Sequence, residues 1–112
     1  MKLAIIGSRE LILEDLDRYL PEGVTEIVSG GARGVDTCAK EYAKSHNIKL
    51  TELFPQYEKY GRSAPLKRNL QIIDYSDEVL AFWNGSSRGT RYVIEQCKKK
   101  NKKVTVILKS VT

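Results

Sequence analysis

The stretch VSGGARGVDTCAKEYA, residues 28–43, packs three structural signals into one short segment. An apolar run ends in Gly30-Gly31-Ala32-Arg33-Gly34, and a stripe of Val35, Ala39, Tyr42 and Ala43 follows at once. Spacings of three and four place those four side chains on one face of a helix. The segment therefore reads as strand, glycine turn and helix. Glycines let the backbone take positive φ and come close to a ligand. The helix start behind them offers unpaired N–H groups and a partial positive charge, which together suit an anion. Arg33 adds a planar guanidinium able to grip phosphate with two parallel bonds. Asp36 falls in the first helical turn, where a carboxylate stabilises the helix dipole or caps the helix, the favoured reading, or else contacts a ribose hydroxyl or the loop.

Working outward, strand-like runs recur at Lys2 to Ile6, Glu26 to Ser29, Lys49 to Phe54, Glu78 to Phe82 and Lys103 to Leu108. Several are continuously apolar, as expected when helices cover both sheet faces. Helical stripes lie between them: Leu13, Leu16 and Leu20; then Leu66, Leu70 and Ile73; then Tyr92, Val93 and Cys97. Core packing accounts for every residue of these stripes. Alternating strands and helices imply a parallel sheet with right-handed crossovers. The expectation is one Rossmann-like, three-layer α/β domain over residues 1–112. Its five-stranded sheet is mostly parallel, in the order 3-2-1-4-5, with helices on both faces. Pro55 to Ser63 is expected to be a long irregular loop lying over a site.

In such a sheet, ligands gather beyond the carboxyl ends of the strands, where strand order reverses. Two more loops leave strand ends there: Gly7-Ser8-Arg9, and Asn84-Gly85-Ser86-Ser87-Arg88-Gly89-Thr90. The hydroxyls of Ser86, Ser87 and Thr90 can donate to phosphate oxygens or cap a helix. Arg9 and Arg88 add positive charge. A single glycine pair is weak evidence, since turns use glycine freely. Three loops that each carry glycine and arginine, all placed after strands, are harder to assign to turns alone. The second loop lacks the lysine and hydroxyl of a P-loop, and no GxGxxG follows the first strand. P-loop hydrolysis and ordinary NAD binding are therefore disfavoured.

Composition narrows the classes further. The chain has 112 residues, 41% of them hydrophobic and 29% charged, as in a soluble globular protein. No apolar run approaches the roughly 20 residues needed to cross a bilayer. The start of the chain lacks the pattern of a secretory signal, so a cytoplasmic protein without a membrane partner is expected. Cys38 and Cys97 form no CxxC pair and read as buried thiols. His46 is the only histidine, which excludes a histidine-built metal cluster, and no metal is expected. The net charge of +5 and pI near 9.2 suit anionic partners. The run Lys98, Lys99, Lys100, Lys102 and Lys103 reads as a solvated helix end complementing the dipole.

Four segments taken in order resemble the SLOG superfamily, the Rossmann-like fold shared by Lonely Guy phosphoribohydrolases and the DNA-processing protein A. They are AIIGSR (4–9), VSGGARGVDTCAKEYA (28–43), FPQYEKYGRSAPLKRN (54–69) and SDEVLAFWNGSSRGT (76–90). The likeness is greatest to the small YspA-type branch related to YpsA. The resemblance implies a nucleotide or nucleotide-derived ligand held by these loops. It places Gly30, Gly31, Gly34, Gly89 and Thr90 at phosphate-binding positions, and Arg68 and Asn69 at an arginine–asparagine pair facing the site. It also implies dimers formed through surface helices. Lonely Guy enzymes cleave an N-glycosidic bond with an arginine and a glutamate. Arg68 matches the arginine, but the glutamate position falls on Val93, which can neither activate water nor stabilise an oxocarbenium ion. Asp36 and Glu95 are the carboxylates that could substitute.

Three readings follow. The first is a binding module, a sensor for a nucleotide or ADP-ribose-like ligand held by Gly7, Ser8, Arg9, Gly30 to Gly34, Asp36, Arg68, Asn69 and Trp83 to Thr90. The second is a nucleotide N-glycosidase with Arg68, Asp36 or Glu95 as catalytic candidates. The third is single-stranded DNA binding, with Tyr57, Tyr60 and Trp83 stacking on bases.

Overall fold

The structure, a computed structural model, describes residues 1–110. Five strands, β1 (Lys2–Gly7), β2 (Glu26–Ser29), β3 (Lys49–Glu52), β4 (Glu78–Trp83) and β5 (Val104–Leu108), form one sheet. Its order is β3-β2-β1-β4-β5, as expected, and all four pairings are parallel. Four helices connect or flank them: α1 (Val35–Ser45), α2 (Tyr57–Tyr60), α3 (Ala64–Tyr75) and α4 (Arg88–Lys99).

The apolar runs become central strands because each face finds a cover. Leu3, Ile5, Ile27, Leu80 and Phe82 point to one face, under α1 and the segment that follows β1. Ala4, Ile6, Val28, Val79 and Ala81 point to the other, under α3 and α4. Each large apolar side chain buried in this way contributes about 1.5–3 kcal/mol. Val35 and Ala39 of α1, Ile72 and Ile73 of α3, and Val93 and Cys97 of α4 are all buried. Among the described residues, no helix is long and apolar enough to cross a membrane.

Several expectations need correction. The leucines 13, 16 and 20 do not form a full helix; only Leu16–Arg18 makes a 3-10 turn. Leu11 and Leu13 are buried while Ile12 between them is 82% exposed, the alternation of an extended segment. Leu13 N–H donates to Cys38 Sγ at 3.3 Å, so Cys38 is half-buried and bonded from its side. Pro55 to Ser63 is not wholly irregular, since it holds α2 and a 3-10 turn at Gly61–Ser63. Leu66 is 44% exposed rather than in the core, because it faces a cavity at the carboxyl end of the sheet.

The basic run lies at the other end of the sheet. Lys100 pairs with Asp74 at 2.7 Å and Lys103 with Glu78 at 3.3 Å, while Lys102 donates to the Ser76 carbonyl. Beside them Glu26 accepts from Tyr75 Oη at 2.5 Å and Thr51 Oγ1 at 2.7 Å. These two bonds, the Tyr75 bond foremost, hold the Glu26 carboxyl below its usual range.

Candidate functional site

At the carboxyl end of the sheet, β1 and β4 lie side by side, with Gly7 paired to Phe82. From here the chain leaves β1 towards one face and leaves β4 towards the other, so a crevice opens between their loops. A cavity of about 480 Å³ fills it, within the range of small-molecule sites. All three strand-end loops reach it, through Gly7, Ser8 and Arg9, through Gly30, Ala32 and Arg33, and through Asn84, Ser86, Ser87, Gly89 and Thr90.

Ser8 ties the first loop to the third. Its N–H donates to the Phe82 carbonyl at 3.0 Å, and its Oγ accepts from Asn84 N–H at 3.2 Å. The side-chain oxygen of Asn84 in turn accepts from the N–H groups of Ser86 and Ser87, at 3.0 and 2.8 Å. That small turn delivers Ser87 to the N-cap of α4, where its Oγ accepts from Thr90 N–H. The first loop meets the second at Gly34, where an added Cβ would lie 2.3 Å from the Arg9 carbonyl oxygen.

The second loop is organised from both sides. Asp36 Oδ2 accepts from Ala32 N–H at 3.0 Å, a contact that ties the loop to the first turn of α1. Arg68 reaches in from α3 and donates from Nη1 to the Gly30 carbonyl at 2.7 Å, and from Nε to Asn69 Oδ1 at 2.9 Å. A side chain at Gly30 would fall 2.7 Å from that Nη1 and 3.1 Å from Asp36 Oδ2, so Gly30 is the narrow floor between them. Burial pushes the Asp36 carboxyl up, opposed by the Ala32 N–H and by the Arg68 charge. Burial likewise lowers the Arg68 pKa, and Asp36 works against it.

The electrostatics favour an anion. Three helices of eleven or twelve residues, α1, α3 and α4, start at this cavity, each with residues of its first turns or preceding loop in the wall. The free N–H groups at the starts of α1 and α4 carry a share of roughly half a positive charge, whereas α3 continues from the 3-10 turn, with the Ala64 N–H donating to the Gly61 carbonyl and Pro65 offering none. Arg9, Arg33 and Arg68 face two carboxylates, Glu10 and Asp36, in the same lining. Below this polar rim, Ile6, Ile72 and Val93 give the cavity an apolar floor.

Some expected residues stand elsewhere. Gly31, Gly34, Gly85 and Arg88 shape or border the loops without lining the cavity. Trp83 lies beneath the third loop, donating from Nε1 to the Ser87 carbonyl at 3.0 Å under Arg91. Glu95 is exposed on α4 and outside the wall, whereas Val93 is in it. The sequence reading missed Glu10, Pro65 and Leu66, which lack any glycine or phosphate-loop signature. Among the described residues, no group of acidic, histidine and cysteine side chains could hold a metal.

An all-parallel, three-layer sheet with a cavity at the point where its strand order reverses defines a Rossmann-like α/β protein. Within that class the family model for the YspA, cpYpsA-related SLOG family matches residues 3–60. The chain belongs to that family, and its membership points to nucleotide-related binding or processing in general terms. No curated protein and no solved structure matches closely enough to add to this assignment. The matched residues include the first two loops. Arg68, Asn69 and the third loop lie beyond them, and join the site by geometry.

Proposed function

We propose that the cavity binds the phosphate end of a nucleotide or nucleotide-derived, ADP-ribose-like molecule, and that the protein acts as a sensor for it. One observation carries this reading: the starts of α1 and α4 and the arginines Arg9, Arg33 and Arg68 converge on a single cavity. Backbone amides supply short-range donors, the buried Arg68 supplies a charge that water screens poorly, and Arg9 and Arg33 add exposed charge at the rim.

Binding rather than bond cleavage fits Val93 in the wall. An N-glycosidase needs a carboxylate free to act on the sugar or on water. Asp36 accepts from the Ala32 N–H through one oxygen and Glu10 is exposed at the rim, while the apolar Val93 stands where the resemblance implies a glutamate. For DNA binding at this cavity the densest lysines are misplaced, since they lie at the far end of the sheet, where Lys100 and Lys103 pair with acids.

Thermal-shift and calorimetric titrations with AMP, ADP and ADP-ribose test the reading. At a hundredfold excess over Kd a ligand stabilises the fold by about 2.7 kcal/mol, roughly 10 °C or more for a domain this size. Arg33→Ala should remove much of that shift while leaving the unliganded Tm in place, because Arg33 is exposed. No shift with any of the three compounds refutes the proposal. Release of free base during incubation would move the assignment to the glycosidase.

A further inference from the structure

The two edges of the sheet differ in chemistry. β3, with the sequence KLTE, carries Lys49 and Glu52, and charge on an edge strand discourages pairing with another chain. β5, with the sequence VTVIL, holds no charge, proline or glycine along its length. Among the described residues, nothing pairs with its outer side.

Two hydrogen bonds fix which backbone groups of β5 point outward. Val79 N–H donates to the Lys103 carbonyl at 3.0 Å, and Lys109 N–H donates to the Trp83 carbonyl at 2.9 Å. Residues 103 and 109 thus turn towards β4, as do Thr105 and Ile107 between them, because the direction alternates along a strand. Val104, Val106 and Leu108 turn their N–H and carbonyl groups to the open edge. Their side chains share the face covered by α4. Val104 packs on the cluster beneath α3 and α4, while Val106 and Leu108 lie beside Ala81 and Trp83 in the register. Val106 is 37% exposed and Leu108 69%. Open donors, open acceptors and open apolar side chains therefore coincide at the same residues.

We infer that β5 pairs with β5 of a second copy of this chain, antiparallel and centred on Val106, joining two five-stranded sheets into one. Val106 then exchanges both backbone bonds with its counterpart, and Val104 exchanges both with the partner's Leu108. The same register sets the exposed Leu108 side chain against the partner's Val104 and brings the two Val106 side chains together. Lys103 and the partner's Lys109 face each other, but each lysine is matched within its own copy, Lys103 by Glu78 and Lys109 by Asp15, both at 3.3 Å. A two-fold contact of this kind uses one patch on both copies and closes as a dimer. Its hydrogen bonds, about six, correspond to roughly 600–1,200 Å² of buried surface. That is the small end of specific interfaces, so the dimer forms reversibly.

The test is sedimentation of the wild-type chain from about 10 µM to about 1 mM, with amide hydrogen exchange read by NMR across the same range. The mass should rise from 12.7 kDa towards twice that value. The amides of Val104, Val106 and Leu108 should gain protection as it rises, while β4 protects those of Thr105 and Ile107 throughout. Val106→Pro removes an outward N–H without breaking the ladder to β4, and should give a folded monomer. Leu108→Lys keeps every backbone donor and adds a cation beside Lys109; it should be monomeric too, with the Tm of dilute wild type. A wild-type chain that stays at 12.7 kDa throughout overturns the inference, and edge amides protected in that monomer would show that some other segment covers β5. A dimer that leaves the Val106 amide unprotected, or that survives both substitutions, has its contact on another surface and overturns the inference equally.

Discussion

Replacing Gly34 with alanine adds a methyl group where the chain leaves no space for one. Gly34 has φ +74° and ψ −121°, a backbone conformation that L side chains seldom adopt, which alone costs about 1–3 kcal/mol. The new Cβ would also lie 2.3 Å from the Arg9 carbonyl oxygen and 2.6 Å from its carbon. Those atoms are backbone, so the first loop must move by about an ångström to reach ordinary contact distance. That movement strains the Ser8 bonds to Phe82 and Asn84, each of which contributes about 1 kcal/mol net. Together the two effects predict a loss of about 3 kcal/mol, or at least roughly 12 °C in Tm for a domain of this length. Urea unfolding followed by circular dichroism measures it. Gly85→Ala is the matched control: φ is +88° there, but no atom lies within 4 Å of the added Cβ. It should therefore cost only the backbone share. If Gly34→Ala lies within about 0.5 kcal/mol of wild type, or Gly85→Ala costs as much, the close docking of the first two loops is wrong.

Other predictions concern the charged groups. Arg68→Ala removes the charge-assisted bond to the Gly30 carbonyl and should cost about 2 kcal/mol, with loss of any nucleotide-induced thermal shift. Arg68→Lys should recover part of the stability, and a full recovery of binding by lysine would argue against a fixed guanidinium contact. Glu26 and Asp36 should respond to acid in opposite senses. The Glu26 carboxyl is held below its ordinary value of 4.5, so the stability it supplies is present above that value and is lost as pH falls through the folded pKa. Glu26→Gln should flatten this slope, seen as a shrinking gap in urea midpoint between wild type and variant from pH 7 to pH 3. The Asp36 carboxyl is raised above 3.8, so stability falls as pH rises from 3.8 to the folded pKa. Asp36→Asn should remove that decline, and a variant whose pH profile matches wild type would show that burial does not control this carboxylate.

The sheet order and the meeting of three loops were legible because both follow from chain-wide rules. Apolar runs of β1, β2 and β4 had to be covered twice, and right-handed crossovers left few arrangements. What escaped was decided by neighbours distant in sequence. Leu13, Leu16 and Leu20 have helical spacing, yet the chain there must bring Arg9 and Glu10 to the cavity wall. An extended path does so while still burying Leu11 and Leu13. β3 ends at Glu52, two residues before the expected Phe54, because Phe54 turns out of the sheet onto Gly31. No local pattern announces a contact between residues 31 and 54. Trp83 misled for the converse reason. Its position after a strand suggested the site, but its N–H finds the Ser87 carbonyl on the packed face.

Val93 shows where motif and packing speak about the same residue. The spacing of Tyr92, Val93 and Cys97 assigned it to the core, and the resemblance assigned its position to the site. Both hold, since Val93 is 3% exposed and also lies in the cavity wall. It shares the floor with Ile6 and Ile72, whose apolar side chains would leave a carboxylate there poorly solvated. The chain thus surrounds an apolar floor with backbone amides and guanidinium groups. Such a cavity can replace the water around an anion with fixed donors. That division of labour is what recognition requires, and it is why the proposed function rests on amides and arginines rather than on the carboxylates beside them.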